Sequence, residues 1–200
     1  MEQNSISGII LAGGLSKRLG REKTTLTLDG STVLRSLIEK LRPLVSEILI
    51  VTRREQKLFF SDVRIVSDIF LGKGSLGGLY TGLFHSSNQH SFICACDMPF
   101  ISPQLIRFLL NSKENADAVV PKISGYFEPL CAVYAKTCLS PLHENLTANN
   151  LKITNFYDRI TIHVPDENEI RRIDPRLLSF FNINSDTDYK KAIRIFKNQN

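Results

Sequence analysis

Tryptophan is absent from the 200 residues, and no aromatic side chains interleave with a lysine/arginine stripe. Both absences disfavour a nucleic-acid partner. No uninterrupted apolar run approaches the ~20 residues that a membrane span needs, so no membrane partner is expected. Glycine and proline number only 11 and 8, and charged residues make up 22%. That composition excludes disordered, collagen-like and coiled-coil chains. The four cysteines, Cys94, Cys96, Cys131 and Cys138, form no Cys-x-x-Cys pair and no cluster with histidine. Zinc ligation and a disulfide framework are therefore not expected, whereas buried reduced thiols are. The four histidines (His85, His90, His143, His163) show no metal-ligand spacing and read as surface or satisfied core residues. No Ser/His/Asp nucleophile elbow is visible, and no carboxylate pair can be assigned to glycoside chemistry. The apolar run over residues 6–15 has no basic leader and leads straight into a basic loop. A cytoplasmic protein is expected rather than an exported one.

What is present is the material of one folded domain. At 42% hydrophobic, a chain of this length can bury a sizeable core. The net charge of +5 is mild and uneven. Residues 1–60 carry ten cations against six carboxylates, residues 61–169 eight against eleven, and residues 170–200 seven against three. The excess reads as a solvated surface and is also compatible with docking an acidic partner.

Short apolar runs alternate with amphipathic stretches. Strands are expected over residues 6–12, 48–51, 63–66, 91–95 and 118–120. Val33, Leu34, Leu37, Ile38 and Leu41 recur at helical spacing, a second helix is expected over 76–84, and a third over 104–110 behind Ser102-Pro103. Strand and helix alternating over roughly 120 residues predict an α/β fold, doubly wound, with a mostly parallel central sheet. After Pro121 the rhythm changes. Strands over 129–135 and 161–164, a strand end over 180–184 and a capped terminal helix from Ser185 are expected there, adding antiparallel strands to the sheet.

The segment with the most chemistry is residues 11–23, Leu-Ala-Gly-Gly-Leu-Ser-Lys-Arg-Leu-Gly-Arg-Glu-Lys, directly after the first strand. Ligands of open α/β sheets bind beyond the carboxyl ends of strands. Gly13 and Gly14 remove Cβ atoms where a ligand must approach the backbone, and successive N–H groups there form an anion-binding concavity. Lys17, Arg18, Arg21 and Lys23 put four cations within seven residues, which suits a triphosphate. The spacing is neither Gly-x-x-x-x-Gly-Lys-Ser/Thr nor Gly-x-Gly-x-x-Gly.

This loop, Leu-Ala-Gly-Gly-x-Ser-x-Arg-x-Gly-x-x-Lys, resembles the signature of nucleotidyltransferases with a Rossmann-like fold. Within them the chain is most similar to the MobA family of molybdenum cofactor guanylyltransferases. The similarity extends through Val66-Ser67-Asp68, Gly74-Ser75-Leu76-Gly77-Gly78-Leu79, Cys96-Asp97-Met98-Pro99-Phe100, Glu128-Pro129-Leu130-Cys131-Ala132-Val133-Tyr134 and Phe181-Asn182-Ile183-Asn184-Ser185. The resemblance implies a three-layer α/β domain over residues 1–200, with 1–120 the nucleotide-binding half and 121–200 the acceptor-side half. It implies transfer of GMP from GTP to the terminal phosphate of molybdenum-loaded molybdopterin. Transient contact with molybdoenzymes or cofactor chaperones would follow from that role.

The resemblance also implies residue roles. Leu11, Ala12, Gly13, Gly14 and Lys23 would cradle the nucleotide, with Arg18 and Lys23 neutralising phosphate oxygens during catalysis. Asp97, at the end of a buried strand, would bind Mg²⁺ and the nucleotide; a hard ion that shares its shell with phosphates needs only such a carboxylate. Asp68 would bind nucleotide, and the glycine-rich turn after it would read the guanine edge. Glu128-Pro129-Leu130 would border the pterin side. At Asn184-Ser185, helix capping is the expected job. Three positions depart from the family: Ser75 stands where proline is usual, Gly78 where alanine is frequent, and Arg53 where an asparagine helps to bind nucleotide. Ser75 is expected to loosen the turn, Gly78 to be benign, and the asparagine's role is not carried to Arg53. Two alternatives stay open on the residues: a sister nucleotidyltransferase using CTP or a sugar-phosphate acceptor, and a non-catalytic nucleotide or cofactor carrier.

Overall fold

Apolar side chains on both faces of the first strand set the layering. In β1 (Ile6–Leu11), Ile9 packs into the core on one side of the sheet and Ile10 into the core on the other, and both are fully buried. A strand covered on both faces reads as a continuous apolar run, the mark of a parallel sheet between helices. The computed structural model describes residues 6–13, 23–28, 30–53, 60–113 and 115–198. It has that architecture.

After a 3-10 turn at Lys23–Thr25 come the small antiparallel pair β2 (Thr27–Leu28) and β3 (Ser31–Thr32), then α1 (Val33–Leu41), β4 (Glu47–Thr52) and β5 (Val63–Ser67). The first half closes with α2 (Gly74–His85), β6 (His90–Ala95) and α3 (Pro103–Asn111). The second half supplies β7 (Ala118–Val119), the small pair β8 (Lys122–Ile123) and β9 (Tyr126–Phe127), β10 (Cys131–Ala135) and α4 (Leu139–Thr147). It ends with β11 (Ile162–His163), α5 (Glu167–Ile173) and α6 (Asp186–Lys197).

Among the described residues the main sheet runs β11-β7-β10-β6-β1-β4-β5. Every neighbouring pair is parallel except the two made by β10. The face carrying Ile10, Ile50, Phe92 and Cys94 is covered by α1, α3, α5 and α6. The face carrying Ile9, Leu49, Ile93 and Ala132 is covered by α2, α4 and the 3-10 segment Ile153–Arg159. Gly82 lets α2 lie directly on β1, because a Cβ there would fall 2.5 Å from Ile9 Cγ2.

The expected elements of the first half all form. In α1, Val33, Leu34, Leu37, Ile38 and Leu41 make one buried face, and the Thr32 hydroxyl accepts from the Arg35 N–H at 3.1 Å. Pro103 occupies the first turn of α3, but the Ser102 side chain does not cap it; Ser102 Oγ donates to Gln104 Oε1 instead. One expectation for the second half needs correction. Residues 180–184 form no strand: the buried Asp174 carboxylate accepts from the N–H groups of Leu178 and Ser179, which winds the chain into a 3-10 turn at Leu178–Phe180. Helix α6 is capped at the expected Asn184-Ser185 pair, by Ser185, whose Oγ accepts from the Asp188 N–H and donates to its carboxylate.

All four cysteines are buried thiols outside any disulfide, with Cys94 opposite Cys131 in the β6–β10 register. Burial raises the thiols of Cys94 and Cys131 and pushes Cys138 up to about 12. Among the described residues, no helix is long and apolar enough to cross a membrane.

Candidate functional site

In space β1 lies between β4 and β6; the chain passes from β1 to one neighbour and later returns to the other. Such a reversal opens a crevice at the carboxyl ends of the strands. A cleft of about 590 Å³ lies there, lined by Leu11 and Gly13 after β1, Thr52 and Arg53 after β4, Asp68 after β5, and Cys96 and Asp97 after β6. Gly72, Gly74, Ser75 and Gly78 at the start of α2 and Leu130, Asn182 and Asn184 from the second half complete it.

Backbone hydrogen bonds extend the sheet into the cleft. The Ala12 N–H donates to Val51 O at 2.8 Å, and the Cys96 N–H donates to Leu11 O at 3.1 Å. Asp97 is thereby delivered at the strand's end, 4% exposed. Its carbonyl accepts from the Ile183 N–H at 2.9 Å, which brings the Asn182–Asn184 turn against it. Two residues further, Pro99 O accepts from Lys40 Nζ at 2.8 Å, tying this loop to α1. Burial lowers the pKa of that ammonium.

Asp68 is fixed by the helix that follows it. Its Oδ1 accepts from the Phe70 N–H at 3.0 Å and from Thr81 Oγ1 at 2.9 Å, and Thr81 Oγ1 accepts from the Ile69 N–H. A Cβ on Gly77 would lie 2.8 Å from Phe70 O and 3.2 Å from Asp68 Oδ2. Thr81, fully buried, has no counterpart in the sequence reading; nothing in its spacing marks it as the partner of Asp68.

A second cavity of about 530 Å³ opens from the first and shares Gly72, Gly74, Ser75, Leu130 and Asn182 with it. Glu128, Lys73 and Lys152 bring charge to it, and Met98, Leu151 and Ile153 bring apolar wall. Burial raises the pKa of Glu128. Lys73 Nζ donates to Asn149 Oδ1 at 2.8 Å.

The structure therefore brings together Leu11, Gly13, Asp68 and Asp97, with Ala12 in the strand extension between the first two. Gly14, Arg18 and the side chain of Lys23 lie outside the described residues. Of the departures, Ser75 sits in the first turn of α2. Gly78 meets only Leu11 side-chain atoms at ordinary distance. Arg53 lines the cleft, its backbone N–H 3.3 Å from where a Gly13 Cβ would stand.

The family model described as the MobA-like NTP transferase domain matches residues 8–160. The chain belongs to that family. A probable molybdenum cofactor guanylyltransferase of Natranaerobius thermophilus is 38% identical over 195 residues, covering 94% of this chain and 95% of the relative. The molybdenum cofactor guanylyltransferase of Desulfosudis oleivorans is 32% identical over 191 residues, covering 94% and 95%. Among solved structures, the molybdopterin-guanine dinucleotide biosynthesis protein A of Archaeoglobus fulgidus superposes with a TM-score of 0.85 at 30% identity, covering 96% and 99%. The 2-C-methyl-D-erythritol 4-phosphate cytidylyltransferase of Thermus thermophilus, at TM-score 0.69 and 15% identity, shares the fold.

Proposed function

We infer that the chain is a molybdenum cofactor guanylyltransferase that transfers GMP from GTP to the terminal phosphate of molybdenum-loaded molybdopterin. An oxygen of the acceptor phosphate bonds to the α-phosphorus of GTP, the bond from that phosphorus to the β-phosphate oxygen breaks, and pyrophosphate leaves. The observation that carries this reading is a cleft at the sheet's switch point, holding Leu11, Gly13, Asp68 and Asp97, which continues into a second cavity large enough for an acceptor. Residues 1–120 supply the nucleotide side and residues 121–200 most of the acceptor side.

The nucleophile is already anionic, so no strong general base is required. The protein's work is alignment and charge neutralisation. In this reading the segment Leu11, Ala12, Gly13 and Gly14 cradles the nucleotide, Asp68 accepts from its ribose hydroxyls, and Arg18 and Lys23 neutralise phosphate oxygens. Asp97 is the residue that would hold Mg²⁺. Among the described residues no group of three or more histidine, cysteine and carboxylate side chains could hold a metal alone. A single buried carboxylate fits Mg²⁺, which keeps most of its shell for phosphates and water. When bound, the ion would withdraw charge from the triphosphate.

The test is pyrophosphate release from GTP with and without molybdenum-loaded molybdopterin. Acceptor-dependent release supports the reading; GTP binding without release returns the chain to the carrier alternative. Thermal stabilisation by GTP, CTP, ATP and UTP in parallel identifies the base, since a ligand at 100 times its Kd adds about 2.7 kcal/mol.

A further inference from the structure

Glu128 is a carboxylate that the nucleotide side of the cleft does not employ. It stands between β9 and β10 on the wall of the second cavity. Its backbone is held at both ends: the Glu128 N–H donates to Pro121 O at 2.9 Å, and its carbonyl accepts from the Cys131 N–H at 3.1 Å. The next residue is fastened as well, because Pro129 O accepts from Tyr134 Oη at 3.0 Å, and Tyr134 Oη lies 2.9 Å from Tyr157 Oη. The side chain is half-buried, and burial raises its pKa; among the described residues no cation or donor offsets that burial. A rigidly mounted carboxylate facing an open cavity, with no side-chain partner among the described residues, is a group waiting for donors on a ligand.

The remaining walls narrow the ligand. Met98, Leu130, Leu151 and Ile153 offer apolar surface, Lys73 is engaged by Asn149, and exposed Lys152 sits at the rim. A flat heterocycle with two adjacent N–H groups on one edge fits this set. A carboxylate presents two acceptor oxygens and no donor, and it matches such an edge bidentately. We propose that Glu128 is the specificity residue for the acceptor's pterin ring, its two oxygens accepting from the exocyclic 2-amino group and the adjacent ring N3–H while the apolar walls cover the ring faces. This rests on the reading of the acceptor as molybdopterin.

Two probes separate the proposal from that reading. Pterin-6-carboxylate carries the 2-amino group; lumazine-6-carboxylate carries an oxygen in its place, which a carboxylate repels. Both are titrated against the protein by their own fluorescence, without turnover. The wild type is expected to bind the pterin at least about tenfold tighter than the lumazine, since a site built for a donor rejects the analogue lacking it. In Glu128→Gln the amide N–H₂ donates to the lumazine oxygen and its carbonyl accepts from N3–H, so the preference reverses. In turnover, Glu128→Gln is expected to raise the acceptor KM roughly 30-fold, more than it lowers kcat, with GTP affinity within twofold of wild type. The proposal is overturned by an unchanged pterin preference in the variant, by a wild type that binds neither probe, or by loss of GTP affinity, which would make Glu128 a guanine reader. A wild type that discriminates the probes but releases no pyrophosphate refutes the transferase reading and leaves the ring-binding assignment standing.

Discussion

Gly77 and Gly78 are neighbours in α2, yet alanine should act on them in opposite directions. In a helix interior, glycine to alanine gains ~1 kcal/mol from reduced backbone freedom. At Gly78 the new methyl meets only Leu11 Cδ2 at 3.5 Å and Cδ1 at 3.6 Å, ordinary contacts, so the gain survives. Gly78→Ala should stabilise by about 0.5–1 kcal/mol, which for a chain of this size is ~2–4 °C in Tm. At Gly77 the methyl falls 2.8 Å from Phe70 O, a backbone atom that cannot rotate aside, and 3.2 Å from Asp68 Oδ2. Overpacking of this kind costs about 1–3 kcal/mol, which outweighs the helix gain and leaves a net loss of up to ~2 kcal/mol. The strain is also directed: whatever yields displaces the carboxylate of Asp68. GTP affinity should fall about tenfold with it, the effect of roughly one hydrogen bond. Urea unfolding of both variants and calorimetric titration with GTP read the two effects. A Gly77→Ala protein as stable as wild type with unchanged GTP affinity refutes the steric account, as does equal destabilisation at Gly78.

Three further outcomes follow from the same geometry. Asp97→Ala should slow acceptor-dependent pyrophosphate release about a hundredfold, equivalent to ~3 kcal/mol in the barrier, with an unchanged thermal melt; near-normal turnover would remove Asp97 from the site. Thr81→Val strands the Ile69 N–H and removes one of the two donors to Asp68 Oδ1, costs about 1–3 kcal/mol and raises the KM for GTP, whereas Thr81→Ser restores both; equal behaviour of the two variants would show that the hydroxyl does not position Asp68. Acid stability should depend on Glu47. Burial opposes its ionisation, but donors from Ser7, the Ser87 backbone and side chain, and Arg64 outweigh it and hold its pKa below the ordinary value. Its contribution is complete above about pH 4.3 and is lost as the pH falls through the depressed native value. Glu47→Gln should flatten that part of the acid-unfolding curve, and a curve of unchanged shape would count against the network.

The first half of the fold was legible because local pattern and tertiary role coincide there. A strand buried on both faces, such as Ile6–Leu11, announces itself by uninterrupted apolar residues, and α1 by five buried positions at helical spacing. The carboxylates at strand ends were equally readable, since position at a carboxyl end follows from strand boundaries alone. The second half hid its elements for physical reasons. Helix α5 buries only Ile170 and is defined by the Asp166 cap, and α4 follows a 3-10 turn at Lys136–Cys138 that blurs its start. The apolar residues around Phe180 and Ile183 resembled a strand, but the turn there is imposed by Asp174 from outside the segment. Thr81 was missed because its importance lies in a bond to a residue thirteen positions earlier. Family resemblance supplied which carboxylates matter; composition and periodicity supplied only where they stand.

The bond from the Ile183 N–H to the Asp97 carbonyl ties the wall shared by the two cavities to the peptide unit that carries Asp97. A ligand that moves Asn182, which lines both cavities, would pull on that unit. Coupling of this kind is reciprocal: filling the first cavity would change affinity in the second by the same factor. Loss of this one bond would separate the two, although every side chain lining the first cavity would still be present.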